Sequence, residues 1–128
     1  MPYEIQFEEF GRGVLVTLAG AISGEELIEA NEAVYSQDGE GRLRYQIWDH
    51  TALESLELSE SQLRFLSMQD REAAAKSPDQ VVALVGSRKM LKEIEKIYSV
   101  FSEAWSGFES GRFGSVADAR RWIVKMIR

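Results

Sequence analysis

The spacing of apolar and polar residues along the chain predicts five strands and four helices. Residues 3–8 alternate between apolar and polar side chains, as a half-buried strand does. Residues 14–19 are apolar on both sides, which is typical of a strand inside a sheet. The glycines at 11 and 13 predict a hairpin turn between these two strands. Further strands are predicted at 44–49, 80–85 and 108–113.

A helix is predicted after each strand from the second onward, and each helix begins at a serine that can cap it. The predicted N-caps are Ser23, Ser59, Ser87 and Ser115. Glu26 and Gln62 follow the first two serines at capping-box spacing. The helix after Ser87 is expected to extend to about Trp105, and residues 50–58 are expected to form an irregular connector.

Strand and helix alternate from the second strand onward, which requires parallel pairing with right-handed crossovers. The predicted fold is therefore α/β, with a single mixed, mainly parallel sheet in the order β-β-α-β-α-β-α-β-α and flanking helices. We expect one domain over residues 1–128, because a chain of 14.5 kDa with 45% hydrophobic and 28% charged residues has the composition of one globular unit.

The residue inventory excludes several kinds of chemistry. There is no cysteine, so disulfides, thiolate metal sites and cysteine nucleophiles are ruled out, and the single histidine, His50, cannot build a multi-histidine metal site. The N-terminus lacks the pattern of a signal peptide, and the apolar stretch 14–23 is half the length needed to span a bilayer. We expect a soluble cytoplasmic protein with no integral membrane segment, no metal and no cofactor.

Charge is unevenly distributed along the chain. The formal net charge is −6; residues 1–42 hold two basic and nine acidic residues, whereas residues 87–128 hold nine and five. The acidic total argues against nucleic-acid binding, which requires neutralisation of phosphates. The basic last third fits a small anion or an acidic protein partner, and a solvated dipolar surface is the alternative.

A basic segment begins the helix that follows the fourth strand. Arg88 and Lys89 lie at the predicted helix N-terminus, where the helix dipole disfavours cations, and Lys92 and Lys96 continue the same face. Free backbone N–H groups beside this positive charge suit a phosphate, a carboxylate or an acidic partner. The alternative is an ordinary amphipathic helix with a solvated lysine face.

A second polar cluster, Asp49-His50-Thr51, follows the third strand. The carboxyl ends of parallel strands meet at one edge of a sheet, so we expect this cluster and Ser87 to share an edge. The alternative is a side-chain turn that merely ends the strand.

Other apolar residues fit a structural role better than a chemical one. Trp48, Trp105 and Trp122 are expected in the core. The leucines at 53, 56 and 58 either pack under a helix or form an exposed patch for a partner. No nucleotide-binding loop, nucleophile elbow or two-histidine motif is present, so an enzyme using Asp49 and His50 is the weaker hypothesis.

The chain resembles the SpoIIAA-like superfamily, which includes STAS domains and small bacterial STAS/SEC14 proteins. The segments that carry the resemblance are GVLVTLAGAI (13–22), YQIWDHT (45–51), VALVG (82–86) and FGSVADARRWI (113–123). In anti-anti-sigma members of this superfamily, an Asp-Ser-Ser-Gly motif carries a phosphorylated serine. By its distance from Asp49, that motif would fall on residues 57–60 here, where Ser59 alone keeps a hydroxyl, at the second serine position. The STAS/SEC14 branch is similar over more of the chain and implies binding of a lipid-like ligand.

These observations predict that the protein is a non-enzymatic STAS-like binding and regulatory module. Its contact surface, for a protein partner or an anionic ligand, is expected at the C-terminal edge of the parallel strands. The expected contact residues are Asp49, His50, Thr51, Ser59, Ser87, Arg88, Lys89 and Lys92. The alternative is a small carrier of an apolar, lipid-like ligand. A homodimer through the first hairpin or the edge strand near Gly111 is a further expectation, since exposed edges invite pairing.

Overall fold

Five strands form one sheet, in the order in which they occur along the chain. A computed structural model describes residues 2–38, 41–99 and 108–127. The strands are β1 (Tyr3–Glu8), β2 (Gly13–Ser23), β3 (Tyr45–Glu57), β4 (Val81–Val85) and β5 (Glu109–Phe113). The helices are α1 (Gly24–Asp38), α2 (Glu60–Lys76), α3 (Arg88–Ser99) and α4 (Val116–Met126), and a short 3-10 turn, Glu9–Gly11, joins β1 to β2. The predicted α/β fold with a mixed, mainly parallel sheet is confirmed.

The register of the sheet fixes which residues meet at its edge. β1 is antiparallel to β2, whereas β2, β3, β4 and β5 are parallel. One row across the sheet joins Thr17, Asp49, Val85 and Phe113. β4 and β5 end at this row, but β2 and β3 continue past it as a two-stranded arm.

Each face of the sheet has its own core. On one face, Val16, Trp48 and Leu84 pack against the buried residues of α1, α2 and α3. On the other face, Ile47 and its neighbours pack against Ala119 and Ile123 of α4. Successive residues of β3 therefore belong to opposite cores, because side chains alternate along a strand.

The prediction of an irregular connector at residues 50–58 is wrong, because residues up to 57 belong to β3. This part of β3 pairs with β2 from Ala19 to Ser23, with two register shifts that break the strict alternation expected of a strand. Leu53 is buried and the leucines at 56 and 58 pack partly against the core, so these leucines lie under the helices.

The predicted helix starts are confirmed by hydrogen bonds. Ser23 and Ser59 form capping boxes with Glu26 and Gln62. The hydroxyls of Ser87 and Ser115 accept hydrogen bonds from the backbone N–H groups of residues 90 and 118. Trp48 is buried and Trp122 is partly buried against Phe113, with ring centroids 5.2 Å apart. The predicted helical residues 100–105, including Trp105, lie outside the described part of the chain.

A polar triad links β1, β3 and α4 at the amino ends of the parallel strands. The Glu8 carboxylate accepts a hydrogen bond of 2.6 Å from the Tyr45 hydroxyl and two from the Arg120 guanidinium. These donors, Arg120 first, hold the pKa of Glu8 below its ordinary value. The Tyr45 ring lies against Gly13, where a Cβ would come within 1.9 Å of the ring. Only glycine fits at this position without moving the tyrosine.

We expect Gly13→Ala to destabilise the protein by about 1 to 3 kcal/mol, because the new methyl group must displace the buried Tyr45 ring. Gly114→Ala is the matched control, since a Cβ there would meet nothing within 4 Å. Urea denaturation measures both variants. Equal stability of the two variants would contradict this role of Gly13.

Candidate functional site

The carboxyl ends of β3 and β4 bring two of the predicted groups together. Nδ1 of His50 lies 3.2 Å from the carbonyl oxygen of Val85, and Gly86 follows directly, with its N–H bonded to the Phe113 carbonyl at 3.1 Å. A Cβ on Gly86 would lie 3.4 Å from the His50 Cβ. Asp49 and Ser87 therefore lie at the same edge of the sheet, as the parallel topology predicts.

Strand alternation separates the members of the Asp49-His50-Thr51 cluster. Asp49 and Thr51 lie on the α4 face, where the Asp49 carboxylate accepts hydrogen bonds from the N–H and the hydroxyl of Thr51 at 3.0 and 2.8 Å. His50 lies on the opposite face and is only 6% exposed. Burial lowers the pKa of His50, although the Val85 carbonyl and Asp49 oppose the shift. We infer that His50 is a neutral interior group, whereas Asp49 and Thr51 stay accessible from the other face.

The basic start of α3 borders an open groove. Arg88, Lys89 and Lys92 are exposed at the helix start that Ser87 caps. Arg88 and Lys92 line a groove of about 500 Å³ between α3 and the turn from β5 into α4. Arg112 lines the same groove and forms an ion pair with Glu95. The N-terminus of α3 and three cations therefore border one groove, against a single carboxylate from Glu95.

The structure places Ser59 in a different groove. β3 continues seven residues past His50, a distance of up to about 23 Å for extended chain, before α2 begins. Ser59 lines a groove of about 590 Å³ with the start of α1 and the end of β3. Its hydroxyl accepts a hydrogen bond from the N–H of Gln62 at 3.2 Å and so caps α2. Ser59 therefore does not join the basic groove at α3.

A buried polar chain that sequence reasoning missed lies between the sheet and helices α1 and α2. The Trp48 indole donates to Gln46 at 2.9 Å, and the Gln46 amide donates to Tyr35 at 3.3 Å. Tyr35 in turn donates to Asp70 at 2.8 Å, and Asn31 donates to the same carboxylate oxygen at 3.2 Å. The sequence signals were two glutamines bordering apolar strands and a polar pair spaced i, i+4 on α1.

Asp70 has an unusual environment for a carboxylate. Burial raises its pKa to about 6, although the hydrogen bonds from Tyr35 and Asn31 favour the ionised form. Among the described residues, no lysine or arginine forms an ion pair with it. Ionised Asp70 is therefore held in the fold without a cationic partner from the described chain.

The described residues contain no group of three or more histidine, cysteine or acidic side chains placed to hold a metal ion. No helix within the described ranges is long and apolar enough to cross a membrane.

Comparison with solved structures places the chain in the SpoIIAA-like fold. The anti-sigma factor antagonist SpoIIAA in its unphosphorylated form is 14% identical, with a TM-score of 0.61 and coverage of 96% of this chain and 97% of that one. The phosphorylated form of SpoIIAA, described as a Bacillus cell fate determinant, is 15% identical, with a TM-score of 0.58 and coverage of 94% and 99%.

A third structure shares this fold. It is an uncharacterised DUF3478-family protein from Shewanella loihica with a SpoIIAA-like fold, 15% identical, with a TM-score of 0.62 and coverage of 94% and 91%. No family model matches the sequence, and no curated protein matches it. The resemblance to SpoIIAA and STAS proteins is therefore confirmed at the level of the fold.

We expect Asp70→Asn to stabilise the protein near neutral pH. The pKa of Asp70 rises from 3.8 in the unfolded chain to about 6 in the fold, so wild-type stability falls as pH increases between these values. Asparagine still accepts the two hydrogen bonds but carries no charge. The expected gain is about 1 to 3 kcal/mol at pH 7 and close to zero at pH 4, measured by urea denaturation.

Asp79→Asn is the control for this pH dependence, because Asp79 is exposed and forms only a surface ion pair with Arg44. An Asp70→Asn variant with the same pH slope as the wild type would show that this carboxyl is not the titrating group.

Proposed function

We propose that this protein is a regulatory module that acts by binding an acidic surface of a protein partner at the C-terminal edge of its parallel strands. The observation that carries this proposal is the groove bordered by Arg88, Lys92 and Arg112 at the ends of β4 and β5. Ser87, Lys89, Asp49 and Thr51 lie at the same edge and form the rest of the proposed contact surface. Buried His50 supports this edge from inside.

The chemistry of the groove favours an acidic partner over a neutral one. Free N–H groups and the dipole at a helix start attract anions, and exposed cations add to that attraction. The groove is open and its cations are exposed, which suits carboxylates on a protein surface. The solved structure of SpoIIAA is described as an anti-sigma factor antagonist, and its shared fold supports a regulatory binding role here.

The alternative of a lipid-like carrier receives less support. The interior cavity lined by the described residues measures about 50 Å³. A cavity of about 150 Å³ holds a molecule the size of benzene, so a space a third as large is too small for an acyl chain.

Ser59 forms a second, separate candidate contact. Its hydroxyl is exposed at the start of α2, and the SpoIIAA comparison includes a phosphorylated form. Ser59 is therefore a candidate contact separate from the surface around the basic groove, so the two can be tested independently.

The partner can be captured by a photo-crosslinking amino acid at position 92, with position 125 on α4 as the control site, and then purified.

We expect Arg88→Glu with Lys92→Glu to weaken binding of that partner at least about tenfold, since each lost charge-assisted contact is worth a factor of this order. Titration calorimetry at two salt concentrations measures the change, and higher salt should weaken wild-type binding.

The matched control reverses the same amount of charge elsewhere, at exposed Arg12 and Lys125. Glutamate at position 88 also suits the helix dipole, so the test variant should stay folded. Equal affinity of the test and control variants would remove the groove from the contact surface.

A further inference from the structure

The interior cavity is a small pocket with an apolar body and a polar end. Its apolar lining includes Leu27, Leu66, Leu84 and Phe108. Its polar end is formed by Asp70 and the residues hydrogen-bonded around it. A mainly apolar pocket with a few converging polar groups is the usual form of a small-molecule site. The volume of about 50 Å³ is a third of that needed for benzene, which leaves room for two or three non-hydrogen atoms.

One oxygen of the Asp70 carboxylate remains available to a ligand. Oδ1 accepts the hydrogen bonds from Tyr35 and Asn31, whereas Oδ2 accepts none from the described residues. Every fully enclosed side-chain nitrogen or oxygen of the described residues has a hydrogen-bond partner, so Oδ2 is not fully enclosed. A carboxylate oxygen without a protein donor, on a residue that lines a mainly apolar pocket, is matched best by a cationic donor.

The surface next to this pocket also favours a cation. Tyr35 lines both the cavity and an outer groove of about 270 Å³ between the ends of α1 and α2. That groove carries three carboxylates and one ammonium group, from Glu32, Asp38, Glu72 and Lys76. The negative balance raises the local concentration of cations in the groove beside Tyr35.

We propose that this cavity binds a small organic ammonium ion, with its N–H groups donating to Asp70 and its short carbon chain against the apolar lining. This proposal does not depend on the proposed partner binding at the basic groove of α3, so either proposal can be wrong without affecting the other. Asn31 and Tyr35 from α1 donate to Asp70, and Gln46, Trp48 and His50 from β3 line the same pocket. Among these, burial disfavours the charged form of His50, so it does not compete as the cation.

Ethylammonium is the probe, with ethanol and acetate as neutral and anionic probes of similar size. For three non-hydrogen atoms, the ceiling on ligand efficiency corresponds to a Kd on the order of 1 mM, so each titration extends to tens of millimolar at constant ionic strength. The Trp48 indole N–H resonance is the local reporter, because this group bonds to Gln46 within the same polar chain. We expect ethylammonium to shift this resonance saturably and acetate to leave it unmoved.

The Asp70→Asn variant tests whether binding requires the charge of the carboxylate, because asparagine has nearly the same shape. The variant is expected to stay folded and to bind ethylammonium at least about tenfold more weakly, while Glu60→Gln at the exposed start of the same helix changes binding by less than about threefold. Wild-type binding is expected to weaken as pH falls below about 6, where Asp70 takes up a proton. No saturable shift with ethylammonium, equal binding by the Asp70→Asn variant, or a preference for ethanol would each overturn the proposal.

Discussion

The parallel pairing of four strands with unequal lengths determines where the candidate contact residues of this protein lie. The row from Thr17 through Asp49 and Val85 to Phe113 is where β4 and β5 end and the chain turns into α3 and α4. Because β2 and β3 continue beyond this row, their carboxyl ends lie farther along the strand direction than those of β4 and β5. The basic groove lies at the ends of β4 and β5, and the capped start of α2 follows the end of β3.

Patterns that act over a few residues were readable from the sequence, and contacts between distant residues were not. Serine caps, apolar strand runs and strand–helix alternation depend on near neighbours, and they predicted the mixed, mainly parallel sheet and the shared edge of Asp49 and Ser87. The extension of β3 was missed because two register shifts against β2 interrupt its alternation. The opposite faces of Asp49 and His50 follow from strand alternation once residue 50 is placed inside the strand.

The polar chain around Asp70 is a clearer example of contacts between distant residues that the sequence does not reveal. Its members come from α1, β3 and α2, and they meet only when the register of β3 and the rotation of both helices are known. Gln46, like Gln80, can be recognised from the sequence as an amide next to apolar strand residues. Nothing in its immediate sequence indicates that its partner is Tyr35, eleven residues earlier on a helix.

The charge of Asp70 is the feature of this chain that hydrogen bonding alone does not explain. A neutral asparagine would also accept from Tyr35 and Asn31 and would avoid the desolvation of a carboxylate, so the polar chain does not need a charge at this position. The Glu8 carboxylate provides a contrast within the same molecule, because the bidentate Arg120 compensates its charge and lowers its pKa. Asp70 has the opposite shift and no such partner among the described residues. An uncompensated carboxylate beside a cavity is the physical condition under which a small cation gains the most from binding.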